Sequence, residues 1–253
     1  MSSFGILGTV IAAILGYLIG SFSWSIFIGK TFYKIDPRDY YSKNAGATNT
    51  SRVIGTKMGL IIMFLDMFKT TMAALLAFAI SFIKFDGGSF ETMSYLIPGL
   101  FAIIGHCWPV YYKFKGGKGV ASFLGLLLTF NPILFGIAAF IWWAIFLPTR
   151  KISLASIVMG AILVFITWIP QLSLVNKINT DFLLLKDISV LWITYMHTIN
   201  TELFFESIVI QNVVISLSGI ILVFKHRSNI KRLINKTEQK YVIKKKADIP
   251  EHE

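Results

Sequence analysis

The apolar residues fall in six long blocks, residues 4–29, 59–83, 93–108, 120–147, 152–169 and 208–224. They have about the length of the ~20-residue helix that crosses a bilayer. The 28-residue block 120–147 carries Asn131-Pro132 near its middle, a turn signal that also biases the residue before proline against helix. It divides into two short helices, so the pattern predicts seven membrane helices. No Lys or Arg precedes the first block and no small-residue cleavage site follows it. It therefore reads as a retained span rather than a signal peptide.

Composition agrees. Of 253 residues 55% are apolar and 15% charged, with a mean hydropathy of +0.68, whereas soluble domains average about 25% charged residues. Intrinsic disorder, a collagen-like fibre and a disulfide scaffold are excluded. The lone cysteine, Cys107, abuts an apolar span end and reads as packing. The fold class expected is all-α, a polytopic membrane helix bundle.

Charge sets its orientation. Twenty of the 24 Lys and Arg lie in the connections 30–57, 111–118 and 150–151 and in the tail from residue 225. Lys84, Lys177 and Lys186 lie in the opposite connections, and Lys69 lies inside a span. Positive residues mark the cytoplasmic side, which puts the N-terminus outside and the C-terminus inside. Without a division at Asn131-Pro132 the 150–151 loop would face the wrong way. The net charge of +11 thus reflects topology and attraction to anionic headgroups, about 1 kcal/mol per basic residue near the surface. No nucleic-acid partner is expected. The organisation expected is one membrane-embedded domain, residues 1–235, with an extracytoplasmic insertion of short helices at 171–207. A polar, disordered cytoplasmic tail follows at 236–253. An amphipathic interfacial helix around Ile230, Leu233 and Ile234 precedes it.

Three segments on the cytoplasmic side exceed what ordinary loops need. Residues 42–52 run Ser-Lys-Asn-Ala-Gly-Ala-Thr-Asn-Thr-Ser-Arg, small and polar before a helix. Successive N–H groups in such a loop can form an anion nest, and the helix N-terminus adds its dipole; a solvated turn with Ser/Asn caps is the plainer alternative. Residues 113–120, Lys-Phe-Lys-Gly-Gly-Lys-Gly-Val, again open a helix with glycines that admit a phosphate. Gly119 stands where a Walker A motif requires Ser or Thr, so ATP is not expected. At the inner end of the last block, His226 and Asn229 share a helix face at i and i+3. Lys231 and Arg232 beside them read as a snorkelling anchor. Asp66 and Lys69 form an i, i+3 pair inside the second span, a buried ion pair with a substrate contact by Lys69 as the rival reading. His197 lies on the outer side and reads as incidental, and no cluster has zinc-ligand spacing.

Taken in order, these segments resemble the acyl-phosphate-dependent glycerol-3-phosphate acyltransferase family of bacterial membranes. Its first motif is matched by Gly20-Ser21, Arg38 and Ser42 through Asn49. The second is matched by residues 105–110 (Gly-His-Cys-Trp-Pro-Val) and 113–121, and the third by residues 226–233 with Glu238 beyond. Asp66 and Lys69 fit the family's Asp-x-x-Lys. The chain departs from the family at Tyr41 and Lys43, where glycines surround the first serine, at Ser23 in place of proline, and at Thr70 in place of glycine.

The resemblance implies transfer of a fatty acyl group from acyl phosphate to the sn-1 hydroxyl of glycerol 3-phosphate, giving lysophosphatidic acid and phosphate at the cytoplasmic face. It implies catalytic roles for Ser42, Lys118, His226 and Asn229. Substrate binding falls to Asn44, Gly46, Thr48, Asn49, Arg52, Lys69, Lys115, Gly116 and Gly117. The glycine loop with Lys118 would cradle the acyl phosphate, the first loop with Arg52 the second phosphate. The partners implied are these two substrates and membrane lipid, with a monomeric protein and no metal or cofactor. The His-x-x-x-x-Asp signature of acyltransferases with soluble donors is absent: Tyr111, Glu202 and Lys231 stand five residues after His106, His197 and His226. Either His226 or a substrate phosphate would take the proton. From another class, a transporter or channel for a phosphate-bearing solute could use the same loops.

Overall fold

The computed structural model describes residues 2–169 and 208–242, and the chain there is helical almost throughout. The elements are α1 (Ser3–Ser21), α2 (Trp24–Phe32), α3 (Ala47–Val53), α4 (Thr56–Ser81), α5 (Leu96–Cys107), α6 (Val120–Phe130), α7 (Pro132–Thr149), α8 (Ile152–Ile166), α9 (Ile208–Lys225) and α10 (Arg227–Ile234). Each of the seven apolar segments expected from the sequence is helical. By length and composition three suffice to cross a bilayer: α1 continued by α2, α4 and α7. A fourth is the pair α9 and α10, bent by 56°. Among the described residues a count of seven therefore requires the shorter α5, α6 and α8 to cross as well.

The break between α6 and α7 falls where proline placed it. Asn131 accepts from the Leu134 amide at 3.0 Å and Pro132 occupies the first position of α7, where its missing N–H costs nothing. The two helices divide the work of the single block. Phe123, Leu126 and Leu127 on α6 are buried in the main apolar core, whereas Phe140 and Trp143 on α7 face outward.

Helices approach closely through small residues, the usual device where lipid removes the hydrophobic drive between helices. A Cβ on Gly20 of α1 would overlap the carbonyl oxygen of Ala102 on α5, and one on Gly105 that of Tyr17. Between α8 and α9, a Cβ on Gly219 would lie 2.9 Å from the Gly160 carbonyl oxygen. At one end of the bundle a two-stranded turn joins α4 to α5, with Lys84 opposite Ser89, an element the hydropathy pattern does not foresee. At the other end the connections after α2, α5 and α7 meet the segment after α9. Arg38 donates to the Tyr112 carbonyl at 3.1 Å, and the Tyr241 amide to the Arg150 carbonyl at 2.7 Å. All the basic connections assigned to one side thus assemble at one end.

Residues 236–242, the start of the expected tail, are described. They pack onto the domain through Glu238 and Tyr241 because a tight helix end turns the chain back, as described below. The expected insertion 171–207 with His197, and residues 243–253, lie outside the described residues.

Candidate active site

The glycine loop is seated on one histidine. After α5 the chain makes a 3₁₀ turn, Val110–Tyr112, and passes through Lys113 and Phe114 at positive φ. The Gly117 amide then donates to the His106 carbonyl at 3.0 Å. A Cβ on Gly116 would overlap that same carbonyl oxygen, and one on Gly117 the imidazole Nε2. Gly119, the N-cap of α6, has φ +82 and lies close to Cys107. The three glycines that positive-inside lysines leave unexplained therefore answer to close packing and to one left-handed residue.

His106 is fixed from behind by the buried pair on α4. Lys69 Nζ lies 2.9 Å from His106 Nδ1, 2.9 Å from Asp66 Oδ1 and 3.1 Å from the Phe22 carbonyl. Hydrogen bonds join the ammonium to His106 and the Phe22 carbonyl, and Asp66 lies beside it as counter-ion. This is the ion pair expected from the sequence, joined to the glycine loop through His106. It places the Lys69 ammonium among protein partners, the ion-pair reading of the two that the sequence left open.

The first loop is held by its own polar side chains. Asn49 is buried: its Oδ1 accepts from the Ser42 amide and hydroxyl at 3.0 and 2.8 Å, and its Nδ2 donates to the Pro37 carbonyl at 2.6 Å. The Gly46 carbonyl accepts from Asn49 and Thr50 amides as α3 begins, and Asn44 folds over Gly46. Thr48 sits in the first turn, part-exposed. Arg38 forks onto Asp36 and reaches the Tyr112 and Lys115 carbonyls at 3.1 and 3.3 Å, tying the first loop to the second. Burial works against ionisation of Asp36, but hydrogen bonds from Arg38 and Lys30 bring its carboxyl down to about 2. The Lys115 side chain is exposed.

The third segment closes the site. His226 breaks the path from α9 to α10, buried, with Nδ1 2.8 Å from the Leu222 carbonyl. A carbonyl only accepts, so Nδ1 carries the hydrogen and Nε2 presents a lone pair. Burial first, then the charge of Lys118, push the imidazole down to about 4. At the far end of α10, Lys236 takes φ +57, its amide donates to Leu233 and the Thr237 amide to the Arg232 carbonyl. That is the 6→1 and 5→2 pattern of a Schellman cap, here with lysine where glycine is commoner. The chain reverses, and Glu238 accepts from Ser153 at 2.6 Å, Asn229 at 2.8 Å and Arg232 at 2.7 Å. Burial opposes ionisation of Glu238, yet these three bonds hold its carboxyl below the usual range. Arg232 is thus an ion-pair partner, not the free anchor expected; Lys231 is exposed as an anchor would be.

The cluster that results contains Arg52, Lys118, His226, Asn229, Arg232 and Glu238. Lys118 feels the charges of Arg232, Glu238 and Arg52, and Arg52 those of Glu238 and Arg232. Burial, then Arg232, depress the Lys118 ammonium to about 8, and burial also lowers Arg52. Among the described residues neither cation makes an ion pair within 4 Å or a hydrogen bond, and Asn229 Oδ1 is a buried acceptor without a partner. Two partly desolvated cations without a close ion pair favour an anion beside them. Of the expected residues, Arg52, Lys118, His226 and Asn229 come together. Ser42, Gly46 and Asn49 shape the first loop, and Gly116 and Gly117 the second. Ser153 and Tyr241 escape sequence reasoning. Ser153 has no motif around it, and Tyr241 lies past the last one.

Residues 10–236 match the model of the glycerol-3-phosphate acyltransferase family. The glycerol-3-phosphate acyltransferase of Mycoplasma mycoides subsp. mycoides is 42% identical over 240 residues, 92% of each chain. That of Mycoplasma capricolum subsp. capricolum is 39% identical over 96% of each. The crystal structure of PlsY (YgiH), an integral membrane glycerol 3-phosphate acyltransferase, is similar in its glycerol 3-phosphate form with a TM-score of 0.65 and 28% identity. The match covers 92% of this chain and 96% of that one. Its lysophosphatidic acid form gives a TM-score of 0.64 at 27% identity, covering 92% and 95%.

Proposed function

The chain belongs to the glycerol-3-phosphate acyltransferase family, and on that premise we propose that this bacterial membrane acyltransferase of phospholipid synthesis draws its acyl group from acyl phosphate and places it on the sn-1 hydroxyl. The observation that carries the reading is the pair Lys118 and Arg52, partly buried cations that feel Glu238 only at a distance and make no ion pair within 4 Å among the described residues.

Both substrates carry phosphate, and this basic cluster serves them jointly rather than one loop each. Lys118, at the N-terminus of α6, faces the leaving phosphate, where helix dipole and ammonium stabilise developing charge. Arg52 holds the glycerol 3-phosphate. The acceptor hydroxyl lies against His226 Nε2 and Asn229 Oδ1, both acceptors. The hydroxyl oxygen attacks the acyl carbonyl carbon, the carbon–oxygen bond to phosphate breaks, and inorganic phosphate departs. With His226 held neutral and at about 4, its basicity at pH 7 is slight. It orients the hydroxyl, and the proton passes to phosphate. Fixing two substrates in attack geometry supplies much of the acceleration, ~7–11 kcal/mol in favourable systems. An open recess of about 590 Å³ lined by Leu18, Ile19, Phe22, Tyr111 and Tyr112 offers the acyl chain an apolar bed beside the glycine loop. The active end faces the cytoplasm, where positive charge collects, and the outward N-terminus and seven spans follow from the same charge pattern.

The test is purified protein in lipid, long-chain acyl phosphate and labelled glycerol 3-phosphate, with Lys118→Ala and Arg52→Ala alongside. Acyl-phosphate-dependent lysophosphatidic acid from the parent, lost in Lys118→Ala and weakened at low glycerol 3-phosphate in Arg52→Ala, is the expected result. No ester from a folded parent that still binds glycerol 3-phosphate would overturn it in favour of a transporter.

A further inference from the structure

Tyr241 lies beyond the residues that match the family, yet it is among the most connected side chains at this end of the bundle. Its hydroxyl is 2.6 Å from Ser51 Oγ and 3.5 Å from Thr56 Oγ1, its amide donates to the Arg150 carbonyl at 2.7 Å, and its ring lies against Phe146, centroids 6.3 Å apart. One residue, through its hydroxyl and its amide, thus joins α3 to the turn between α7 and α8. Three residues earlier, Glu238 joins α8 to α10. A strap of seven residues, 236–242, therefore fixes both halves of the anion site.

The half held by Tyr241 is the less secure. Helix α3 has seven residues and no side-chain cap at its N-terminus, too short to be stable alone. It packs on α4, where Ser51 meets Gly59, and on α2 through Thr50 and Ser25, 2.6 Å apart. Those contacts are to α4 and α2; Tyr241 supplies the tie toward α7, α8 and the third segment. The residue after Ser51 is Arg52, whose guanidinium feels Glu238 and Tyr241.

We propose that Tyr241 is a positioning residue that sets where α3 presents Arg52 to glycerol 3-phosphate, and hence sets affinity for that substrate rather than the chemical step. The proposal rests on the role given above to Arg52. A shared hydrogen bond is lost once, whichever partner is changed. Tyr241→Phe and Ser51→Ala should therefore each raise KM for glycerol 3-phosphate about 3- to 10-fold, the range of a single net hydrogen bond. The double variant should show no further rise. kcat and KM for acyl phosphate should stay within about twofold of the parent.

The experiment is steady-state kinetics on the full chain in lipid for these three variants and Arg52→Ala, with thermal midpoints recorded in parallel. Raised KM for glycerol 3-phosphate, with the single effects failing to add, supports the proposal. Unchanged KM in Tyr241→Phe, or a lowered midpoint with KM unchanged, assigns Tyr241 to stability alone and overturns it. If Arg52→Ala itself leaves that KM unchanged, the substrate role of Arg52 falls and the proposal with it. A rise in Arg52→Ala without one in Tyr241→Phe overturns the strap alone.

Discussion

Gly117 and His106 form one unit. The glycine amide donates to the histidine carbonyl at 3.0 Å, and the imidazole fills the space a Cβ would need. Gly117→Ala must therefore displace the ring or the loop that carries Lys118. Overpacking of this kind costs typically ~1–3 kcal/mol. Gly116→Ala meets the His106 carbonyl, backbone that cannot rotate away, and should lose more activity and stability than Gly117→Ala. In a His106→Ala background the further effect of Gly117→Ala should shrink. An equal loss with and without the ring would refute the contact, read from acyltransferase rates and thermal midpoints.

Lys69 supports that histidine. Lys69→Met leaves Asp66 buried beside His106 without its cation, and breaking such a pair destabilises by roughly 3–5 kcal/mol. The double change Asp66→Asn with Lys69→Met should recover much of that, because no lone charge is left. Unfolding midpoints in detergent separate the two; a substrate role for Lys69 would instead give a folded variant with raised KM.

The pH profile follows from Lys118. Its ammonium, brought down to about 8 by burial and Arg232, loses charge as pH rises through that value. kcat/KM for the anionic substrates should fall above about pH 8, with the corresponding limb of kcat displaced upward because a bound anion favours the cation. Lys118→Arg, charged throughout, should remove this limb. Stability moves the other way. Between about 8 and the ordinary lysine value the unfolded chain binds more protons, so Lys118 adds stability as pH rises. His226, at about 4, contributes no limb near pH 6.5, and His226→Asn should leave the shape of the acid side intact.

Lys43 and Tyr41, on either side of Ser42, take φ +52 and +47. The left-handed region costs a non-glycine residue about 1 kcal/mol or more. Lys43→Gly should therefore leave stability equal or raise it by up to about that amount, the relief being offset by glycine's larger entropy loss on folding. A clear destabilisation in a thermal scan would show that the exposed side chain carries a contact that outweighs the strain.

Much was legible along the chain because membrane segments and anion loops are local. Asn131-Pro132 marks a helix break by proline sterics, and the split appears at that residue. Sequence order could not tell which polar residue faces substrate and which faces protein. Asn49 and Ser42, expected at the substrate, bond to each other; Arg232, expected in solvent, bonds to Glu238. These outcomes depend on which groups are neighbours in space, and the pairs lie six or seven residues apart around turns.

What the sequence determined by itself was the solvent and the chemistry: apolar blocks that only lipid can surround, basic residues gathered in alternate connections on one side, and glycine, amide and basic residues suited to phosphate. What tertiary structure alone decided was the partition of those residues between scaffold and site. Lys69 and Lys118 are both lysines near apolar helices. One has Asp66, His106 and the Phe22 carbonyl within 3.1 Å and is held as structure; the other makes no hydrogen bond or ion pair among the described residues, which is why we propose that it meets an anion. The difference arises because burial leaves a charge to whatever groups the fold packs around it, and that neighbourhood is assembled from segments far apart in the chain.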